Sequence, residues 1–264
     1  MVELAPILDL KNTDAPSVFQ AANLLREARR QRSLDDWEAP EICVLDPDGD
    51  VVRYLKRRRL ANAAVNWACY HTEMWRFAWD GTEFGIVGCA VGAPFAVLLA
   101  EQMFASGCRF LVSVTSAGQI ARTREPPYFI LIDRALRDEG TSYHYLPPSR
   151  FAEAAPDVLA RLRVVLDGVP VSVHQGPTWT TDAPYRETQE AVEAHRRDGI
   201  LAVEMEAAAL YAFSRAREYP VACFAHVTNS MAQIDGDFEK GEAGGALDAL
   251  ALISIAAKAW LRSK

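Results

Sequence analysis

From residue 84 to residue 260 the chain alternates between short apolar runs and longer runs with helical spacing, and this alternation restricts the fold more than any other feature. Apolar runs at 84–89, 109–115, 128–133, 170–175, 201–203 and 221–227 predict strands. Between and after them, 94–104, 157–166, 185–197, 205–218 and 246–260 predict helices. Strands separated by helices of this length pair in a parallel or mixed sheet, and such a sheet must be covered on both sides. The expected fold class is α/β, a single domain with a mixed central β-sheet flanked by helices on both faces. Residues 1–264 are read as that one domain. Half of them are hydrophobic and 24% charged, with no linker-like stretch and no internal repeat.

The segment 1–70 is atypical beside this pattern. Residues 17–30 have the spacing of a helix through Phe19, Ala22 and Leu25. Residues 42–45 and 51–55 predict short strands around the turn Asp46-Pro47-Asp48-Gly49-Asp50, and 74–79 pairs with 84–89 as a hairpin about Asp80-Gly81. The dense charge run at 53–59 reads as a solvated face.

A net charge of -7 and a pI near 5.3 argue against nucleic acid or an anionic membrane surface as a partner. The longest nearly uncharged run, 85–100, is shorter than the roughly 18 residues a membrane span needs. Residues 1–16 show no basic leader or apolar signal core, so a cytoplasmic protein is expected. Cys43, Cys69, Cys89, Cys108 and Cys223 are widely spaced, without a CxxC pair, and read as reduced core residues. No His and acid spacing suggests a metal, and no organic cofactor is expected.

In α/β sheets, sites form at the carboxyl ends of strands, where this chain places its glycine loops. Gly85-Ile86-Val87-Gly88-Cys89-Ala90-Val91-Gly92 is not GxGxxG, which removes the main support for dinucleotide binding. Thr115-Ser116-Ala117-Gly118 lacks the first glycine of GxSxG, so a hydrolase nucleophile elbow also fails. The third feature is Glu204-Met205-Glu206, two acids where an apolar strand gives way to a helix. Buried carboxylates at such a junction need partners or a task, although helix-start acids favoured by the dipole account for the same spacing.

Val203-Glu204-Met205-Glu206-Ala207-Ala208 resembles the signature of the nucleoside phosphorylase and nucleosidase superfamily. Ala90-Val91-Gly92-Ala93-Pro94 is similar to that family's glycine loop beside sugar and phosphate. Ser113-Val114-Thr115-Ser116-Ala117-Gly118 is similar to its strand-end loop for phosphate or water. Thr178-Trp179-Thr180-Thr181-Asp182-Ala183-Pro184-Tyr185-Arg186 resembles its base-cradling segment, with Pro184 where Phe is usual. The resemblance spans about residues 84–231 and implies a phosphorylase-like fold.

It also implies a site. Glu206 would hold the ribose hydroxyls, with Glu204, Met205, Val91 and Gly92 around the sugar. Ser113, Thr115, Ser116 and Gly118 would bind phosphate or water. Tyr185, Arg186, Trp179 and Asn229 would meet the base, although an N-capping Asp182 with an exposed Arg186 explains that segment equally well. Asn229 stands where purine-cleaving members carry an acid, so the leaving base is expected to be uracil or a 6-oxopurine. The family's N-terminal Gly-Asp-Pro-x-Arg loop is missing, and Ser113 stands where phosphorylases put Arg.

The activity implied is cleavage of a nucleoside N-glycosidic bond by phosphorolysis, giving free base and ribose 1-phosphate. Inorganic phosphate would be the co-substrate, with Arg57, Arg58 or Arg59 as its cation. A phosphate-independent nucleosidase and a non-catalytic nucleoside-binding module stay open as alternatives. A homo-oligomer, dimer or hexamer, is implied by the same resemblance.

Overall fold

The strand that organises the molecule is the fifth of the ten among the described residues, and its two edges are shared among three neighbours. The computed structural model describes residues 5–9, 11–166, 168–231 and 235–262, so residues 1–4 of the N-terminal stretch and the last two of the expected domain lie outside the described residues. In chain order the strands are β1 (Ile42–Asp46), β2 (Ala61–Ala63), β3 (Trp75–Trp79), β4 (Thr82–Gly88), β5 (Phe110–Gln119), β6 (Tyr128–Asp138), β7 (Phe151–Glu153), β8 (Val173–Thr181), β9 (Ala202–Glu204) and β10 (Val221–Asn229). The helices are α1 (Ala21–Arg32), α2 (Asp50–Arg57), α3 (Ala93–Ala105), α4 (Pro156–Leu166), α5 (Gln189–Arg197), α6 (Ala207–Arg217) and α7 (Ala246–Leu261).

The sheet is mixed. β1, β4, β5 and β10 run parallel, while β6 is antiparallel to β10 and parallel to β8. β9 joins β8 in parallel and β5 in antiparallel sense, which closes β5, β10, β6, β8 and β9 into a ring. β4, β3 and β2 extend outward from β1. One edge of β5 carries β10 along its length. The other pairs with β1 only through Ser113 and with β9 only from Gly118, leaving a notch at residues 114–117.

Helices cover both faces, with α2, α4 and α7 packed together on one and α1, α3 and α6 on the other. The core between them is apolar and fully buried at Phe84, Phe110, Leu111, Phe129, Phe213, Phe224 and Ile253. α7 is apolar enough and, with the turn before it, long enough to cross a membrane by composition. Leu250, Ile253 and Ala257 of this helix are instead buried in the core cluster shared with Phe110 and Leu111 of β5.

Three expectations change. Residues 51–55 form helix α2 rather than a strand: Val51, Val52 and Leu55 lie on one helical face and are buried, while Arg53 and Lys56 point outward. α1 begins at Ala21, and Phe19 is exposed before it. Cys89 is exposed, unlike the other four cysteines, and all five are free. β2 and β7, each of three residues, are too short to leave a periodic signal.

Candidate active site

The chain ends β9 on Glu204 and starts α6 at Ala207, so both acids of Glu204-Met205-Glu206 fall in the turn between them. They are buried, at 3% and 1% exposure, but differ in their partners. Glu204 Oε1 accepts the hydroxyls of Thr178 (3.1 Å) and Thr180 (2.5 Å) from β8. Its Oε2 accepts the N–H groups of Glu206 and Ala207, both at 2.7 Å, and so caps α6. Burial raises its carboxyl above the usual range, opposed by these four bonds. Glu204 was expected beside the ribose; it is turned into the protein, where it fixes the strand-to-helix turn.

Glu206 is the acid left available. Its Oε1 accepts the N–H of Gly92 at 2.7 Å, the nearby Thr115 hydroxyl favours its charged form, and its buried Oε2 has no hydrogen-bond partner among the described residues. Gly92 caps α3 at φ 96°, a conformation that frees this amide to point across at β9 and that residues with a Cβ rarely adopt. Burial, then the neighbouring charge of Glu204, pushes the Glu206 carboxyl up to about 8. Val91 is exposed and Met205 half-buried on either side of this contact.

The notch in β5 supplies the other half of the site. Asp48, in the loop from β1 to α2, enters it: Oδ2 accepts the Ser116 N–H at 2.7 Å and Oδ1 the Ser116 hydroxyl at 2.9 Å. Asp46 shapes the loop by accepting the N–H groups of Gly49 (3.1 Å) and Val52 (2.9 Å), and its burial raises it to about 7. Asp50 pairs with Arg53 at 2.6 Å and with Lys240 at 2.5 Å. A cavity of about 20 Å³ remains between Asp48, Ser116, His226 and the start of α7, enough for one water. His226 stacks on Phe129, and burial and then Lys240 lower it to about 4, so its ring is neutral.

Asn229 ends β10 opposite Gly118, with its oxygen accepting the Met231 N–H (2.9 Å) and its amide nitrogen donating to Thr228 (3.1 Å). Gly118 matters by its size, since a Cβ there would stand 2.8 Å from Met231 Sδ and 3.4 Å from the Asn229 oxygen. Ser113 lies deeper, buried between β1 and β10, and its hydroxyl has no hydrogen-bond partner among the described residues.

The structure thus brings Glu206, Gly92, Thr115, Ser116, Gly118 and Asn229 to one end of the sheet. Of the expected base-binding set, Asn229 is the member it brings there. Trp179 is buried in a separate cluster with Ile120, Leu136, Val192 and Val203, its ring N–H on Asp138 at 2.9 Å. Tyr185 and Arg186 lie exposed on a short 3-10 turn. Arg57, Arg58 and Arg59 sit exposed at the far end of α2, about 12 Å of helix from Asp48. Among the described residues, no group of three or more His, Cys, Asp or Glu could hold a metal ion.

Asp46, Asp48, Asp50, His226 and Lys240 were missed. Three alternate aspartates after an apolar strand are the signal in the sequence, and the same pattern suits a turn between two short strands.

The phosphorylase superfamily model matches residues 41–256. The chain belongs to that superfamily. Its relatives include a guanosine phosphorylase from Halorubrum lacusprofundi, 24% identical over 80% of this chain and 79% of the relative. A uridine phosphorylase from Thermococcus kodakarensis is 26% identical over 70% of this chain and 71% of its own. A DeoD-type purine nucleoside phosphorylase from Clostridium novyi is 25% identical over 64% and 74%. The crystal structure of uridine phosphorylase from Vibrio fischeri superposes with a TM-score of 0.68 at 21% identity, covering 88% of this chain and 93% of that one. The mixed α/β architecture expected from the sequence is therefore that of this superfamily, and the relatives are nucleoside phosphorylases.

Proposed function

We propose that this chain cleaves the N-glycosidic bond of a nucleoside, with water as the acceptor. The reading rests on Asp48 holding both donors of Ser116, at the loop where the resemblance places phosphate or water. A phosphate dianion there would meet the Asp48 carboxylate, with Asp46 and Asp50 in the same loop, and the nearby cations Arg53 and Lys240 are paired with Asp50. Each oxygen of Asp48 keeps a further lone pair for a water proton. A neutral water in the adjacent cavity suits this arrangement.

In this reading Glu206 Oε2, buried and without a partner among the described residues, takes the ribose hydroxyls, and the ionised form of the carboxyl, populated as pH approaches 8, stabilises the oxocarbenium-like sugar as the bond breaks. The C1′–N electron pair leaves with the base, the water oxygen bonds to C1′, and Asp48 receives the proton. The transfer is redox-neutral and uses no organic cofactor. Asn229 has no proton to give, so the base departs without one from this residue. Uridine and 6-oxopurine nucleosides meet that condition by delocalising charge.

Phosphorolysis is the second reading, favoured by the names of the relatives. One assay separates the two. Free base released at equal rates with and without phosphate, together with free ribose, supports hydrolysis. Release that requires phosphate and yields ribose 1-phosphate overturns it. No release with bound nucleoside makes the protein a binding module.

A further inference from the structure

A cavity of about 650 Å³ lies where residues 12–24 meet the second half of α3 and the C-terminal end of α6. Its size is within the range of roughly 300–1,000 Å³ that holds small ligands. Gln102 of α3 lines it, about 15 Å of helix from Gly92, whose N–H holds Glu206. The cavity is therefore separate from the candidate active site.

Three polar features meet in its wall. Gln102 is 2% exposed and its Oε1 has no hydrogen-bond partner among the described residues, so a donor entering the cavity would satisfy a group that is otherwise costly to bury. Glu101 and Arg217 line the wall as an ion pair at 3.1 Å, with side chains 24% and 38% exposed. Among the described residues the bonds to Glu101, from Arg217 Nε and Nη2 and from the Tyr145 hydroxyl, all go to Oε1. Glu101 Oε2 is left for another donor, and Arg217 Nη1 for another acceptor. The third feature is the start of α1, where Ala21 and Ala22 line the cavity, the Gln20 side chain caps none of the first N–H groups, and no acid lies in the first turn. An open helix start of this kind favours a carboxylate.

We propose that this cavity binds a free amino acid with an aromatic side chain, held as its zwitterion. The ammonium donates to Gln102 Oε1 and Glu101 Oε2, while the carboxylate accepts from Arg217 Nη1 and the first N–H groups of α1. Glu101 and Arg217 cancel in charge, so a ligand with a single charge leaves one of them unmatched. A zwitterion matches both. The aromatic body lies against Phe19 and Tyr219, which line the cavity at 73% and 36% exposure, Tyr219 being braced from behind by its stack on Phe104 at 4.2 Å. Binding here is independent of the glycosidic-cleavage reading of the other site.

The test is calorimetric titration of the full chain with L-phenylalanine, phenethylamine and 3-phenylpropanoate, which share one aromatic body and differ in their charges. Phenylalanine is expected to bind at least about tenfold more tightly than either analogue, the scale of one charge-assisted hydrogen bond. Gln102→Leu is expected to weaken phenylalanine by at least about tenfold while the unliganded protein keeps or raises its Tm, because an apolar side chain replaces a buried amide without a partner for its oxygen. Glu101→Gln, at a partly exposed position where folding is not at stake, is expected to weaken phenylalanine by a similar factor and to leave 3-phenylpropanoate unweakened. Glu206→Gln is expected to bind phenylalanine as the wild type does. No binding of phenylalanine, binding no tighter than either analogue, or affinity unchanged in Gln102→Leu and Glu101→Gln overturns the inference. Loss of binding in Glu206→Gln places the ligand at the candidate active site and overturns it as well.

Discussion

Ser116 gives both its backbone N–H and its hydroxyl to the carboxylate of Asp48, a residue 68 positions earlier in the chain. The contact is possible because β1 leaves the edge of β5 at Ser113 and β9 joins it only at Gly118, so the intervening N–H groups have no strand partner on that side. A buried N–H must find an acceptor, and here the chain supplies one that carries charge.

Asp48→Ala removes that acceptor. If Asp48 takes the proton of the attacking water, phosphate-free base release falls by about a hundredfold or more, within the range for losing a positioned base. The same variant leaves two donors open, and calorimetry is expected to detect inorganic phosphate binding that the wild type lacks. Unchanged turnover in Asp48→Ala would count against the role given to this residue.

Glu204 acts through position. Glu204→Ala leaves two backbone N–H groups and the hydroxyls of Thr178 and Thr180 without their common acceptor. The expected cost is on the order of 3–5 kcal/mol, the scale for breaking a buried charged network. Thermal unfolding measures it, and turnover falls with it because Glu206 follows in the same turn. Glu204→Gln keeps an acceptor and is expected to recover part of the stability. A Tm in Glu204→Ala equal to that of the wild type would sink this assignment.

Trp179 separates a core role from a base-binding one. Trp179→Phe loses the bond to Asp138 and part of the packing on Val203 and Ile200, for about 1–3 kcal/mol. Its KM for nucleoside is expected to change by less than about twofold, since no uniform binding contact is removed. Tyr185→Ala, at 98% exposure, leaves the Tm within about 1 °C. A large rise in KM for Trp179→Phe with stability intact would return the ring to the base.

What the sequence makes legible follows from where its signals are strong. The long apolar runs of β5, β6 and β10 and the helices between them announce a covered mixed sheet, and Glu206, Ser116 and Gly92 stand in patterns read locally. β8 shows the limit. Its apolar run predicts a strand at residues 170–175, yet the strand spans Val173–Thr181 and continues through polar Thr178, Thr180 and Thr181, because their hydroxyls find Glu204 and the backbone in the fold. The same blindness hid the aspartate loop. Val51-Val52 is β-branched and favours a strand by propensity, while the helix there is fixed by Asp46 accepting the Val52 N–H and by burial of Leu55, both tertiary facts. The notch in β5 depends on which strands flank it, and no local pattern encodes that.

Glu206 links activity to stability through pH. Its carboxyl is held at about 8 in the folded protein, against 4.5 for an ordinary glutamate, chiefly by burial and next by the charge of Glu204. Between those two values the folded state keeps a proton that the unfolded state has released. Stability from this group is therefore full below about pH 4.5 and declines as pH rises toward 8, because the unfolded state binds fewer protons throughout that window. Glu206→Gln has no proton to lose and lacks this slope. Its Tm is expected to gain on the wild type steadily from pH 5 to pH 8, and the contribution of Asp46, raised to about 7 in both proteins, largely cancels in the difference. The amide still accepts the Gly92 N–H, so the fold persists by circular dichroism, while turnover at pH 8 and above, where the wild-type carboxyl ionises, falls by about a hundredfold through loss of the carboxylate facing the sugar. A Tm difference that is flat across pH 5 to 8 would show that Glu206 is ionised in the folded protein throughout.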